Sequence, residues 1–229
     1  MSLIEMKNIK KDYFLGETVV RALRGIDLQV EAGEFIAIWG PSGSGKTTLL
    51  NLIGAIDEPT EGELSMRGRE VCSLSDNQCS ELRNQTVGFI FQGFNLVPVL
   101  SALENVMLPL QIRGLSAAEA KAKALVRLQE VGLADLVQNR PSKMSGGQQQ
   151  RVAIARALVT GPALVIADEP TANLDSETAR MIIDLMRALN EKDQTTFIFS
   201  THDQRLLDRV KRLVRLEDGR IVNGGSKPC

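Results

Sequence analysis

A glycine-rich loop is the first stretch of this sequence whose spacing points to chemistry. Residues 40–47 read GPSGSGKT and match the pattern G-x-x-x-x-G-K-[ST]. The loop follows the apolar run FIAIW and precedes the helical run TLLNLIGAI, which is the strand–loop–helix context that the motif requires. Glycines let successive backbone N–H groups turn towards phosphate oxygens, and the helix presents its positive end to them. We therefore predict a nucleotide phosphate site, with Lys46 reaching the β- and γ-phosphates and the Thr47 hydroxyl on Mg²⁺.

A pair of acids follows a second apolar run. The stretch ALVIADEP at 163–170 reads as a buried strand that ends on Asp168 and Glu169. An acid pair alone often only begins a helix, but after an apolar strand and together with a phosphate loop it indicates nucleotide hydrolysis. We expect Asp168 to hold Mg²⁺ directly or through water, and Glu169 to orient and polarise an attacking water.

A second glycine-rich stretch, MSGGQQQR at 144–151, opens the apolar helical run VAIARALV. Two glycines are a poor start for a helix unless the backbone must approach something closely. A hydroxyl and free N–H groups at a helix start attract an anion. We predict that Ser145, Gly146 and Gly147 form a second anion site, which has no phosphate of its own within the motif.

Short apolar runs separated by helical patterns indicate an α/β chain. The predicted strands are 3–6, 26–30, 35–39, 87–91, 163–167, 196–200 and 212–216. Capping boxes at Ser101-x-x-Glu104 and Ser116-x-x-Glu119 predict two helix starts. Residues 93–157 carry almost no strand pattern, so we expect a helical subdomain inserted into the sheet domain.

Composition excludes several classes of function. The chain has 229 residues and a net charge of −1, so bulk electrostatics provide no attraction to nucleic acid or an anionic membrane. Cys72, Cys79 and Cys229 lack C-x-x-C spacing, which argues against a disulfide framework or a zinc site. No apolar run approaches the roughly 20 residues that span a bilayer, so we expect that the chain does not cross a membrane by itself.

With these motifs in place, the chain resembles the ATP-binding subunits of ABC transporters along essentially its whole length. GPSGSGKTT and ADEP match the family's two Walker motifs, and MSGGQQQR resembles its Leu-Ser-Gly-Gly-Gln signature, with Met144 in the Leu position. The resemblance places Gln92 of FQG on the Q-loop and Asp175 of ANLD on the D-loop. It places His202 of STHD, the only histidine of the chain, on the switch histidine.

The resemblance implies a fold and a division of the chain. The implied fold is α/β, a P-loop NTPase core of the RecA-like type with an N-terminal antiparallel β part and an inserted helical subdomain. Residues 1–229 would form a single ABC ATPase domain. Within it, 1–92 and 158–229 would be the nucleotide-binding core and 93–157 the helical subdomain with the signature.

The resemblance also implies two cofactors, ATP and Mg²⁺, and a set of site residues. The implied catalytic residues are Lys46, Gln92, Glu169 and His202, and the implied Mg²⁺ ligands are Thr47, Gln92 and Asp168. The implied nucleotide contacts are Tyr13, Gly40, Pro41, Ser42, Gly43, Ser44, Gly45, Lys46, Thr47, Thr48, Ser145, Gly146, Gly147, Gln148 and Asp175. Tyr13 would stack on the adenine, although a strand-end core position explains this residue as well.

The family further implies two protein partners. Two copies of such a chain pair head to tail, so that each ATP lies between the phosphate loop of one copy and the signature of the other. An integral membrane permease subunit would be contacted through the apolar segment after Gln92, although most of that segment also reads as core. The chain would then be a peripheral subunit on the cytoplasmic face of the inner membrane, without a nucleic-acid partner.

Several stretches resemble the macrolide-export, lipoprotein-release and cell-division subgroup of the family, including PTEGE at 59–63 and DEPTANLD at 168–175. The implied function is an ATP-hydrolysing motor that drives a separate transmembrane subunit. An ATPase that powers a non-transporting mechanical complex of the cell-division type has the same motifs and stays open as an alternative. ATPases of chromosomes and DNA repair carry a long coiled coil between the Walker motifs, and translation-associated ABC proteins carry two cassettes; neither feature is present in this sequence.

Overall fold

The computed structural model describes residues 2–223, which form two β-sheets and six α-helices. The strands are β1 (Ser2–Leu15), β2 (Thr18–Glu31), β3 (Phe35–Trp39), β4 (Glu61–Met66), β5 (Arg69–Glu70), β6 (Val87–Ile90), β7 (Leu164–Ala167), β8 (Thr196–Thr201), β9 (Arg212–Glu217) and β10 (Arg220–Asn223). The helices are α1 (Lys46–Ile53), α2 (Asp76–Thr86), α3 (Ala102–Ile112), α4 (Ala117–Glu130), α5 (Gly146–Leu158) and α6 (Ser176–Asp193). Cys229 lies outside the described residues.

The central sheet has six strands in the order β10-β9-β3-β8-β7-β6. All neighbours in it run parallel except β10, which pairs antiparallel with β9. Its middle strands β7 and β8 are buried at every position, as expected for parallel strands that are covered on both faces. The carboxyl ends of β3, β7 and β8 therefore lie at one edge of the sheet, where ligands of open α/β sheets bind.

The second sheet is antiparallel, in the order β2-β1-β4-β5. The predicted strands 3–6 and 26–30 are the inner ends of a much longer hairpin, in which β1 and β2 have 14 residues each. The outer half of the hairpin is exposed, and the side chains of Phe14 and Leu15 are 69% and 68% exposed. Because neither face of this half is buried, its sequence lacks the alternation of apolar and polar residues that predicts a strand. The antiparallel N-terminal part that the resemblance implied is present.

Three helices, α3, α4 and α5, lie between β6 and β7. The two predicted capping boxes begin α3 and α4. No apolar periodicity predicts α2, because most of this helix is polar and only Cys79, Leu82 and Thr86 are buried in it. It begins at a capping box of its own, from Ser75 to Gln78.

Two hydrophobic clusters pack the central sheet. One joins Phe35, Phe197 and Phe199 to apolar residues of α3, α4, α5 and α6. The other joins Ile36, Ile198 and α1 to the antiparallel sheet. The helices within 93–157 thus share one apolar cluster with the sheet and α6, and the division at residues 92 and 158 stays a prediction. Within residues 2–223, every helix is too short or too polar to cross a bilayer.

The contact between β6 and α5 leaves no room for a side chain at Gly88. A Cβ atom there would lie 2.2 Å from the carbonyl oxygen of Ala157. We expect Gly88→Ala to lower the free energy of unfolding by about 1–3 kcal/mol, because the backbone of α5 must move away from the sheet. Urea denaturation measures this change.

Gly93→Ala is the matched control, since a Cβ at Gly93 meets only the Oδ1 of Asn95 at 3.5 Å. We expect this variant to change the free energy of unfolding by less than about 0.5 kcal/mol. Equal effects of the two substitutions would contradict the close packing of α5 on β6.

Candidate nucleotide-binding site

The phosphate loop joins the end of β3 to the start of α1. Gly43 and Gly45 have φ values of 78° and 101°, a left-handed conformation that favours glycine. A Cβ atom on Gly40 would lie 2.0 Å from the carbonyl oxygen of Leu216 in β9. Gly45 caps α1 without a side-chain hydrogen bond, so the first N–H groups of the helix face a ligand position with no internal partner.

Lys46 lies inside this loop. Its side chain is 6% exposed, and Nζ donates to the carbonyl oxygens of Gly40 and Pro41 at 2.9 Å each. The Oγ of Ser44 is buried without a hydrogen-bond partner among residues 2–223. A buried ammonium that donates hydrogen bonds to loop carbonyls and a buried unpaired hydroxyl both fit a phosphate, which offers oxygens to accept from these donors.

The two acids at the end of β7 are fixed by neighbouring hydroxyls. Thr47 Oγ1 donates to Oδ2 of Asp168 at 2.9 Å, and Ser200 Oγ donates to Oδ1 at 2.6 Å. Ser200 also accepts from the N–H of Glu169 at 2.8 Å and is completely buried. The Thr47–Asp168 pair provides the hydroxyl and carboxylate oxygens that Mg²⁺ prefers.

Glu169 lies between two basic side chains. Its Oε1 is 3.9 Å from Nζ of Lys46 and 3.1 Å from Nδ1 of His202. Its φ is 44°, a left-handed value that is costly for a residue with a side chain and persists only where the surroundings hold it. The contacts with Lys46 and His202 therefore hold the Glu169 carboxylate beside the phosphate loop.

The phosphate loop and the two acids share one pocket of about 540 Å³, and His202, which is not part of its lining, contacts it through Glu169. Its lining residues include Tyr13, Arg21, Ser42, Gly43, Gly45, Lys46, Thr47, Thr48, Gln92, Asp168 and Glu169. Tyr13 is half-buried at the rim, its hydroxyl donates to Asp57 Oδ2 at 2.9 Å, and burial raises its pKa. Tyr13 is thus a pocket residue rather than a core residue. Gln92 is exposed, and its carbonyl oxygen accepts from Nδ2 of Asn173 at 2.9 Å.

The signature residues are not among those that line this pocket. Ser145 caps α5 and forms a capping box with Gln148. The two glycines allow the start of α5 to approach α6 and the loop before it. A Cβ at Gly147 would lie 2.7 Å from Cγ2 of Thr178, and one at Gly146 would lie 3.2 Å from Cδ2 of Leu174. Within one chain, the close backbone approach that the two glycines indicated is therefore an approach to α6 and to the loop before it.

Asp175 also lies apart from the pocket residues. Its carboxylate caps α6 by accepting from the N–H groups of Glu177 and Thr178, and it accepts from the Thr178 hydroxyl at 2.6 Å. These hydrogen bonds lower its pKa. The structure thus brings together Tyr13, the phosphate loop, Gln92 and the two acids in one pocket. His202 contacts Glu169 from outside the lining of that pocket, and Asp175 and the signature also lie outside it.

Ser200 is the site residue that the sequence analysis missed. The signal for it is a hydroxyl directly after the apolar run FIF of β8, a strand whose every position is buried. A polar residue at a buried strand end needs a partner, and the acids of the neighbouring strand β7 supply one. Sequence alone does not show that β7 and β8 are neighbours.

Comparison with known proteins places the chain in a family. A family model described as "ABC transporter" matches residues 23–172. The lipoprotein-releasing system ATP-binding protein LolD of Anaeromyxobacter dehalogenans is 48% identical over 97% of this chain and 93% of its own length. The macrolide export ATP-binding/permease protein MacB of Syntrophobacter fumaroxidans is 48% identical over 96% of this chain but only 31% of its own length. This chain therefore spans about a third of that relative.

A solved structure shows the same fold. The ATP-binding cassette MJ0796 of Methanocaldococcus jannaschii, in a dimeric post-hydrolysis state bound to ADP and Pi, has a TM-score of 0.89 and 42% identity, with 98% of each chain covered. This likeness confirms the fold class that the sequence predicted. The chain belongs to the ABC transporter family, as one of its ATP-binding cassettes that hydrolyse ATP.

Proposed function

We propose that this chain is the motor subunit of an ABC transporter complex of the lipoprotein-release or macrolide-export type. Two copies would close head to tail around two ATP and drive a separate transmembrane subunit. The observation that carries the proposal is the separation of two anion-attracting helix starts within one chain. The start of α1 lines the nucleotide pocket, whereas the start of α5, with Ser145, does not. A second copy would bring the missing signature, Ser145 to Gln148, to each pocket.

In this proposal the phosphate loop and the acids bind and hydrolyse ATP. Phosphate oxygens replace the carbonyls of Gly40 and Pro41 as acceptors for Lys46. Thr47 and Asp168 hold Mg²⁺, with Gln92 beside them, and the bound ion would neutralise charge on the phosphates. Ser42 and Thr48 line the pocket, where they would contact the nucleotide.

The reacting water would be held by Glu169, which acts as general base or orienting group. His202 contacts the γ-phosphate and, at 3.1 Å from Glu169 Oε1, restrains the direction of that carboxylate. Tyr13 stacks on the adenine. Asp175, exposed at the start of α6, lies at the interface with the second copy.

A groove beside the Q-loop suits the permease. It has a volume of about 250 Å³ and lies between β6, α3 and α5, and its lining includes Phe89, Phe91, Pro109 and Arg156. The rings of Phe89 and Phe91 stack with centroids 5.9 Å apart. An apolar groove of this kind accepts a helix of a partner, and Phe91 in its lining directly precedes Gln92. The groove would thus lie where the core strand β6 meets the helical region 93–157, which also carries the signature.

This assignment gives the chain a peripheral place on the cytoplasmic face of the inner membrane. The relatives named above are described as parts of lipoprotein-release and macrolide-export systems, which favours a transport or release complex over the mechanical cell-division type. A nucleic-acid partner finds no support in a net charge of −1.

We expect Glu169→Gln to bind ATP and to dimerise, but to hydrolyse ATP at about one hundredth of the wild-type rate or below, because the group that polarises the water is lost. Phosphate release measures the rate, and light scattering measures the dimer. Glu63→Gln, at an exposed carboxylate on the antiparallel sheet, is the control and keeps normal turnover. Normal turnover of Glu169→Gln would show that the base assignment is wrong.

We expect Ser145→Arg to abolish ATP hydrolysis while the monomer still binds nucleotide. The arginine side chain would prevent the signature of one copy from contacting the nucleotide bound to the other copy, and this contact exists only in the dimer. Ser116→Arg is a matched control, since Ser116 caps α4 in the same type of capping box. Each variant loses a helix cap, which lowers the free energy of unfolding by about 1 kcal/mol. Ser116→Arg should nevertheless hydrolyse ATP. A loss of ATP affinity in the Ser145→Arg monomer would mean that the signature acts within its own chain.

We expect Ser200→Ala to lower kcat about 10- to 100-fold with little change in ATP affinity, because Asp168 and Glu169 both lose a hydrogen bond that orients them. Thr196→Val is the control. This substitution removes a buried hydroxyl from the other end of β8, where it accepts from the N–H of Gly33 at 2.9 Å. It should lower the melting temperature but not kcat. An unchanged kcat in Ser200→Ala would contradict the positioning role.

A further inference from the structure

Gln150 is a buried amide in α5, two residues beyond the signature. Its side chain is 0% exposed. Nε2 donates to the carbonyl oxygen of Pro170 at 2.7 Å, and Oε1 has no hydrogen-bond partner within the described chain, residues 2–223. A buried amide with an unpaired oxygen is unfavourable for stability, and an apolar side chain of similar volume would avoid that penalty. Among residues 2–223, the contact with Pro170 is therefore the one hydrogen bond of this side chain.

That contact lies next to Glu169. Pro170 has no N–H group, so its carbonyl is its one backbone polar group, and Gln150 is the donor that fixes it. On the other side, the N–H of Glu169 donates to Ser200 at 2.8 Å. The left-handed Glu169 is thus held from β8 at one end and from α5 at the other. A strained backbone of this kind keeps its conformation only while such restraints remain.

We propose that Gln150 is a positioning residue for Glu169. By fixing the carbonyl of Pro170, it holds the backbone turn that aims the Glu169 carboxylate at the space beside the phosphate loop. Because Gln150 belongs to the helix that Ser145 caps, it also ties the signature helix to the hydrolytic carboxylate of the same chain. The proposal rests on the role that we propose for Glu169.

The first test is Gln150→Met, which keeps the volume of the side chain and removes the donor. We expect kcat to fall on the order of 10- to 100-fold, with KM for ATP nearly unchanged. ATP-dependent dimerisation, measured by light scattering in the Glu169→Gln background, should not change. A wild-type kcat, or a loss of dimerisation together with kcat, would overturn the proposal.

Asn190→Leu separates positioning from general stability. Asn190 is a buried amide in α6 that is 2% exposed, and Nδ2 donates to the carbonyl oxygens of Gly33 and Thr195 at 3.0 and 2.7 Å. None of these three residues lines the nucleotide pocket. Asn190→Leu should lower the melting temperature and keep kcat. If it lowers kcat as much as Gln150→Met does, the effect of Gln150 is general destabilisation, and the proposal is wrong.

Gln150→Glu adds a readout that a purely structural role would not move. A protonated carboxyl can donate to Pro170, whereas an ionised one cannot, and burial raises the pKa of a carboxyl. We expect kcat relative to wild type to rise as the pH falls from about 8.5 to about 6, while Gln150→Met shows a constant ratio. An equal loss in both variants at every pH would overturn the proposal.

Two variants distinguish a wrong role for Gln150 from a wrong role for Glu169. If Glu169→Gln is inactive and Gln150→Met is fully active, Glu169 keeps its role and only the positioning link is lost. If Glu169→Gln is fully active, the catalytic assignment itself is wrong.

Discussion

Three parallel strands, β3, β8 and β7, end at the same edge of the central sheet, and the contacts between the phosphate loop, the two acids, Ser200 and His202 depend on this arrangement. Their register pairs Trp39 with Thr201, and Ala167 with Phe199. The phosphate loop, Asp168 and His202 each follow one of these strands, so residues far apart in sequence meet within hydrogen-bond distance. The buried apolar strands that form the core thus also set the geometry of the site.

A second constraint underlies the proposal that one chain holds only half of each nucleotide site. The starts of α1 and α5 both attract anions, but α5 packs against α6 through Gly146 and Gly147, and its start lies outside the pocket. This packing and the Gln150–Pro170 bond make α5 part of the support of Glu169. The signature helix would then serve its own chain as a scaffold and the other copy as a ligand-binding surface.

The sequence predicted the parts of the fold and site that local pattern controls. The apolar strands β3, β7 and β8, the capping boxes of α3 and α4, the phosphate loop and the acid pair follow from spacing and residue type. The roles of Gln92, Asp175 and His202 were implied only by the resemblance to the family. The long β1–β2 hairpin and the polar helix α2 were missed because their exposed residues carry no burial pattern. The contacts of Ser200 and Gln150 could not be predicted, since each joins elements whose neighbourhood is set by the packing of the whole chain.

The central claim, that each nucleotide site is built from two copies, is tested most directly by mixing two inactive variants. Lys46→Ala disables the phosphate loop, and Ser145→Arg disables the signature. In a head-to-tail dimer of one of each, one of the two sites has both halves intact. The account predicts that an equal mixture recovers about a quarter of the wild-type ATPase rate, since half of the dimers are mixed and each has one working site. A mixture as inactive as its components would contradict it.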